Sequence, residues 1–409
     1  MVAVAAERFA HFGLRSLLAM HMSQWLHMTA AEIGSLYAWL MIASLLASLA
    51  AGGLAFVLPP RGIALIGAVL SVLGIASFAL ASSPTAVIAS LVLTEVGSGL
   101  VRPCAFGYAA RVLTYEGDTE LVAPSGRRFL SMGCFVTLLY GAVNVGAAMA
   151  APFFGAAYAR VGIGMPSVLA AVSVCAAAAG FGISMVVDRE NPAPSSAPAA
   201  HTAYRTEPST GAAPPSAPTN PMMVIVALGL ALPNALAYLV MQTADMAVLM
   251  GDNGGYAESR SLALLQVTST GGGIVAAVVV GVVLLVLAQS RSSLSLALFV
   301  GIGLIMFAGG AVLMVPSAFV ARLLGMMSMG LAEPLLNLGV VYAALAVRGK
   351  AATAVVAGFL FLEMLGSQLG GALVQIATPV TLLGAALLLG CGIALAALSR
   401  KVRSLFQPA

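Results

Sequence analysis

Apolar stretches of about 20 residues, the length a helix needs to cross a hydrocarbon core about 30 Å thick, recur along almost the whole of this chain. No soluble core could bury so many. The 409 residues are 61% hydrophobic and only 8% charged, against about 25% charged in an ordinary soluble domain, and mean hydropathy is +1.04. A membrane barrel would show only about ten residues of alternating pattern per strand. The sequence therefore predicts an all-α integral membrane protein. Twelve spans are expected near 2–27, 31–58, 62–82, 85–115, 129–159, 162–187, 221–250, 259–288, 292–315, 317–347, 350–377 and 379–399.

One segment breaks the pattern. Residues 188–220 are rich in Pro, Ser, Ala and Thr, too polar to span and unable to pack a core. They read as a cytoplasmic linker between an N-terminal six-helix bundle (1–187) and a C-terminal one (221–409) that ends in a short basic tail. Two six-helix halves of nearly equal length are the layout of a transporter built from repeated halves. With both termini inside, the inner loops and tail hold eleven Lys and Arg residues, from Arg61 to Arg403, and the outer loops hold Arg160 and Arg260. By the positive-inside rule this places both termini in the cytoplasm, in an inner or plasma membrane. The net charge of +4 thus reports topology and gives no reason to expect nucleic acid.

Several classes of function find no support in the residues. Cys104, Cys134, Cys175 and Cys391 lie inside spans without ligand spacing and read as small core residues, so neither a metal nor a cofactor is expected. No Ser/His cluster has usable catalytic spacing, so no enzyme is expected. The first apolar segment is too long, and too charged in its middle, for a cleavable signal.

The informative residues are charges stranded inside spans. Helix 1 holds Glu7, Arg8, His11, Arg15 and His21, helix 4 holds Glu95, Arg102 and Arg111, helix 7 holds Asp245, helix 10 holds Arg322 and Glu333, and helix 11 holds Glu363. Each costs on the order of 2.5–3.5 kcal/mol at the bilayer centre on insertion scales, so such groups face a cavity or one another. Glu7, His11 and Arg15 recur every four residues and share a helical face, with Arg8 beside them. That face is expected to meet Arg102 of helix 4. Glu95, Asp245 and Glu363 suit cavity lining and helix contact equally, and His21 and His27 are expected near the outer interface.

Helices 4 and 10, equivalent in a six-plus-six layout, each carry a charge directly before proline, "VRPC" (Arg102, Pro103) and "AEPL" (Glu333, Pro334). Matched interruptions in two halves point to a central binding site. One half then offers a cation and the other an anion, which suits a zwitterion. An excess of arginine over carboxylate is expected in the cavity, favouring a substrate with an anionic group.

These motifs resemble those of the proton-dependent oligopeptide transporters of the major facilitator superfamily. "ERFAHFGLR" at 7–15 is similar to their first-helix E-x-x-E-R-F-x-Y-Y-G, and "GSGLVRPCAFGYAARVLTYEGD" at 97–118 to their fourth-helix G-x-G-x-x-K-P. "LLYGAVNVGA" at 138–147 resembles the fifth-helix F-Y-x-x-I-N-x-G-S. "GLAEPLLNLG" at 330–339 and "GFLFLEMLGSQLGG" at 358–371 resemble the tenth-helix glutamate region and the eleventh-helix G-L-W-F-L…G-N-x-L-x-G. The resemblance implies a major-facilitator fold and proton-driven transport of di- and tripeptides by alternating access. It implies that Glu7, Arg8 and Glu333 take part in proton coupling. Arg15 and Arg102 would hold the peptide carboxylate, Asn144 and Glu333 its amino end, and Gln242 in "LVMQTAD" would stand near the same cavity. His11 and Phe12 replace two pocket tyrosines, Arg102 replaces a lysine, and Val4 stands where the pattern has its first glutamate. His11, which ordinarily titrates at about pH 6.5, is then a candidate replacement for the missing acid.

The expected partners are a small zwitterionic or anionic solute, protons and the lipid bilayer, with the chain acting as a monomer. Two other readings stay open at this level. The cargo could be an amino acid, another organic anion or a drug-like solute, or the chain could be a transporter-like receptor that binds a solute without moving it.

Overall fold

The computed structural model describes residues 2–25, 27–28, 30–81, 83–115, 126–190, 221–250, 259–289, 295–315, 318–346, 351–373 and 376–405. Most of the expected linker, 191–220, lies outside them. The described residues form helices throughout: α1 (Val2–Trp25), α2 (Ala30–Leu54), α3 (Pro60–Leu80), α4 (Pro84–Tyr115), α5 (Gly126–Val161) and α6 (Gly164–Glu190), then α7 (Pro221–Met250), α8 (Ser259–Gln289), α9 (Leu296–Met314), α10 (Phe319–Asn337), α11 (Gly339–Leu345), α12 (Ala351–Ala372) and α13 (Ala377–Leu405). Proline opens α3, α4 and α7, where its missing N–H costs nothing and its fixed φ favours the first turn. α6 runs three residues past the expected start of the linker.

Among the described residues, ten helices, with α10 and α11 taken as one span, are long and apolar enough to cross a membrane. α1 carries Glu7, Arg8 and Arg15, and α2 is apolar over Trp39–Leu54, which completes twelve spans. The outer surface is apolar, with Leu46, Val69, Val172, Ile183, Val279 and Leu383 among its exposed side chains. Water would not tolerate so large a patch, and lipid does. Cys104 and Cys134 are buried as expected, whereas Cys175 and Cys391 are exposed. The second pair corrects the expectation of core residues, since a thiol is apolar enough to face acyl chains.

Helices α1–α6 pack on one another and α7–α13 do likewise, because small residues let backbones approach without a hydrophobic drive. A Cβ on Gly67 of α3 would lie 2.6 Å from the Gly97 carbonyl of α4, and one on Gly310 of α9 would lie 2.8 Å from the Gly325 carbonyl of α10. The two halves meet through α5 with α8, α2 with α12 and α4 with α12. Several of these contacts gather at the bundle end where α1 begins. There Gly52 faces Ala354 and Ala357, Gly107 faces Thr353, and Gly133 faces Leu284 and Leu296.

The paired prolines do not interrupt their helices alike. α4 runs unbroken through Pro103, while the tenth span breaks at Leu338, four residues after Pro334. There the Leu338 N–H bonds the Leu335 carbonyl in a tightened turn, and the Asn337 side-chain amide donates to the Glu333 carbonyl at 3.0 Å. His21 is buried, with ring edges near Phe78 and Tyr158. His27 is exposed, at a φ of 53° in the link from α1 to α2.

Candidate functional site

A cavity of about 340 Å³ lies between the halves, lined from α1 by Val4, Arg8, His11 and Phe12, from α2 by Met41 and Ser44, and from α4 by Glu95, Arg102, Ala105 and Phe106. The fifth helix adds Leu139, Tyr140, Val143 and Asn144, and the C-terminal half adds Tyr238, Met241, Glu333, Glu363, Met364 and Ser367. Six of the twelve stranded charges, Arg8, His11, Glu95, Arg102, Glu333 and Glu363, thus converge on one space, which is how a bilayer-buried charge becomes tolerable.

Three polar clusters organise its walls. In the first, Arg102 Nη2 of α4 lies 2.7 Å from Glu363 Oε1 of α12, and the other oxygen of Glu363 accepts from Asn234 Nδ2 of α7 at 3.1 Å. Glu363 is almost fully buried at 3% exposure, while Arg102 keeps 27% of its side chain open. In the second, the Glu333 carboxylate accepts from the Tyr238 hydroxyl at 3.0 Å and also interacts with the Tyr140 hydroxyl. Asn337 Nδ2 donates to the same Tyr238 hydroxyl at 3.3 Å. Asn234 and Tyr238 are four residues apart on one face of α7, so a single helix face braces both carboxylates. Asn144 stands beside this cluster, and its buried Nδ2 has no hydrogen-bond partner.

The third cluster belongs to the N-terminal half. Arg8 Nε lies 2.8 Å from Glu7 Oε2, and Arg8 Nη2 donates to the Ser98 hydroxyl of α4 at 3.1 Å. Glu7 is buried behind Arg8 and does not line the cavity. Further along α1, His11 Nδ1 is 3.9 Å from Glu95 Oε1, with both side chains buried.

The expected site residues are therefore partly assembled. Arg8, His11, Arg102, Asn144 and Glu333 all line the cavity. The Arg15 side chain lies outside the described residues, as do those of Arg111 and Asp245. Gln242 is not itself among the lining residues: its Cβ lies toward Gly370 of α12, and Met241, one residue earlier on α7, lines the cavity. The partner of Arg102 is corrected. The expected face of α1 reaches α4 at Ser98 through Arg8, and Arg102 reaches across to Glu363 instead. The expected arginine excess is reversed, since among the described lining residues two arginines face Glu95, Glu333 and Glu363.

Four participants were not foreseen as a set. Glu95 and Glu363 stood out as charges, but their partners lie on other helices, and in the case of Arg102 and Glu363 the pair is separated by 261 positions. Tyr140 and Tyr238 gave only the weak signal of a phenol within an apolar span, where a hydroxyl needs a partner.

No family model matches the chain, and no curated protein matches it. Solved structures do. A crystal structure of the peptide transporter POT in complex with sulfate shares 16% identity with a TM-score of 0.64, covering 100% of this chain and 94% of that one. A POT family transporter in complex with a thioalcohol-conjugated peptide shares 13% identity with a TM-score of 0.61, and one in complex with 5-aminolevulinic acid shares 13% with a TM-score of 0.60. Each of these two covers 98% of this chain and 95% of its own. A likeness this extensive at such low identity fixes architecture: the chain is a multi-pass membrane protein with the major-facilitator-type fold, twelve spans in two six-helix halves, seen in these peptide transporters.

Proposed function

We propose that the protein is a secondary transporter that carries a small solute with a protonated amine, di- and tripeptides being the reference class, through alternating access driven by the proton gradient. The observation that carries this reading is the charged cavity between the halves, with Arg102 of α4 on one wall and Glu333 of α10 on the other. Buried charges on facing bundles are the arrangement that alternating access needs, because rocking one half against the other remakes the site toward each side in turn. The structurally similar transporters, one in complex with a thioalcohol-conjugated peptide and one with 5-aminolevulinic acid, point to the same class of cargo.

In this reading Glu333 receives the ammonium group. The hydroxyls of Tyr238 and Tyr140 pre-orient its carboxylate, and Asn144 lines the cavity beside them. A solute carboxylate competes with Glu363 for the open side of Arg102. The basic loops support a topology with both termini cytoplasmic, and residues 188–220 joining the halves on that side.

The test is uptake of labelled alanyl-alanine into proteoliposomes with and without an inward proton gradient. Gradient-stimulated accumulation is expected, and absence of uptake under both conditions refutes the peptide reading. Glu333→Gln is expected to raise the half-saturating concentration roughly tenfold or more by removing a charged partner of the amine. Unchanged affinity would take the amine role from Glu333.

A second reading is favoured by the pairing of Arg102 with Glu363. Since that arginine is already paired with a carboxylate while Glu333 accepts from the Tyr238 hydroxyl, a simple organic amine without a carboxylate also fits. Competition of alkylamines against alanyl-alanine separates the two. A zwitterion-specific site ignores the amine, and a cation site is blocked by it.

A further inference from the structure

A second cavity lies on the lipid-facing surface, away from the space between the halves. It is a groove of about 600 Å³ between the end of α5 and the start of α6, whose walls include Phe153, Ala156, Ala157 and Arg160 of α5 and Met165 and Leu169 of α6. Residues 153, 156, 157 and 160 recur every three or four positions and share one face of α5, as Met165 and Leu169, four apart, share one of α6. Alanine at 156 and 157 hollows the middle of the α5 face, and an added Cβ on Gly155 or Gly164 would meet nothing within 4 Å. Phe154 turns the other way, buried on α1 with its ring edge-on to Phe9 at 5.2 Å, and Phe153 beside it is left 55% exposed.

The groove is apolar except at its end. Arg160 lies two residues before the turn at Gly162, where φ is 68°, and its side chain is exposed. Among the described residues no carboxylate pairs with it, and none lines the groove. Tyr158, two residues earlier, faces His21 near the end of α1, so this charge stands at the end of the bundle opposite the seam where α1 begins. In the topology proposed above that end is the outer one, where the loops carry Arg160 and Arg260 and a basic residue is uncommon.

We propose that this groove binds an anionic phospholipid, with one acyl chain lying along Phe153, Ala156 and Leu169 and the phosphate resting on Arg160. The assignment goes beyond the transport reading and does not depend on it. Phe153 lies seven residues from Arg160, about 10 Å along the helix, so the apolar and cationic parts of the site are spaced as the chain and headgroup of one lipid. The guanidinium offers a planar fork of donors that matches a phosphate, and it keeps its charge at any physiological pH. A lipid with net negative charge gains most, because in phosphatidylcholine the same phosphate is already offset by the choline of its own headgroup. A protein segment fits the groove less well, since backbone groups laid against lipid would be left without partners.

The experiment reads lipid contact at the groove itself. In a background where Trp25 and Trp39, the chain's two tryptophans, are replaced by Phe, Phe153→Trp puts an indole in the groove. Val279→Trp puts one on the lipid-facing surface of α8 as a control, where the native side chain is also 55% exposed. Each protein is reconstituted in phosphatidylcholine mixed with brominated phosphatidylglycerol or with brominated phosphatidylcholine, and quenching gives the relative affinity of the two lipids at each indole. At position 153 the anionic lipid is expected to be favoured about fivefold, and at position 279 not at all. Arg160→Gln is expected to abolish the preference at 153, and Arg160→Lys to keep most of it, since the cation is restored without the fork. Equal quenching by the two lipids at 153 overturns the proposal, as the arginine then only snorkels among ordinary surrounding lipid. So does a preference at 279 as large as that at 153, or one at 153 that survives Arg160→Gln. Uptake plays no part in the readout, so failure of the transport reading would leave this result standing.

Discussion

Arg102 shows how a single buried charge is made tolerable. Its guanidinium is satisfied in part by Glu363, whose second oxygen is in turn held by Asn234. Removing one partner strands the other, so Arg102→Ala is expected to destabilise the protein by about 3–5 kcal/mol, read as a lowered melting temperature of purified protein in detergent. Arg102→Leu combined with Glu363→Leu should recover most of that loss, because a well-packed apolar pair needs no compensation. A double variant as unstable as the single one would mean that the pair does more than neutralise itself. Which charges matter was legible from the sequence, because every ionisable side chain inside a span demands a reason. Which charge meets which was not. The pairing of Arg102 with Glu363 depends on the rotation of α4 and α12 about their axes and on how the halves dock, and no periodicity along one helix encodes either. The reversed balance of arginine and carboxylate arises from the same gap: Glu95 and Glu363 could be counted but not assigned a direction.

At the scale of elements, helix pairs are set by where a side chain is missing. Gly310 of α9 meets the backbone of α10 at Gly325, whereas its neighbour Gly309 has nothing within 4 Å of an added Cβ. Gly310→Val is therefore expected to cost about 1–3 kcal/mol by forcing α9 from α10, and Gly309→Val on the lipid side almost nothing, as thermal unfolding of the two variants would show. Equal effects would mean that backbone entropy, not close packing, governs this pair. Span positions were readable to within a few residues because bilayer thickness imposes a length on every apolar run. The break in the tenth span was less so. Pro334 announces an interruption but not its place at Leu338, beside which the Asn337 side chain donates to the Glu333 carbonyl and to Tyr238. Asn337→Ala is expected to loosen that turn and the Glu333 site together, seen as a lower melting temperature and weaker dipeptide uptake. Gln242 teaches a complementary point, since a motif match carries a residue to the right helix and leaves its facing to the neighbours.

Over the whole molecule, the two halves were visible in the six-plus-six count of spans around a polar stretch, and the side on which they touch was not. That is a property of one conformation, and a sequence encodes all of them. Here the halves touch at the end where α1 begins, and an added Cβ on Gly52 would lie 3.0 Å from that of Ala357. In a background without the four native cysteines, Gly52→Cys with Ala357→Cys is expected to form a disulfide under mild oxidation once the two backbones part by about half an ångström, since bridged Cβ atoms sit about 3.5–4.5 Å apart. Cross-linking should abolish uptake in proteoliposomes, and reductant should restore it. Uptake that persists in fully cross-linked protein would show that this end need not open.

The make-up of that meeting point has its own consequence. Gly52, Ala354, Ala357, Gly107, Thr353, Gly133, Leu284 and Leu296 touch by shape alone, so parting them strands no ion and forfeits only weak dispersion contacts, each on the order of 0.1–0.2 kcal/mol. Such a seam is a shallow well and not a lock. In the proposed transport cycle such a seam costs little to open, so the charges deep inside the bundle, the Arg102–Glu363 pair between the halves among them, weigh more in the balance than the seam does.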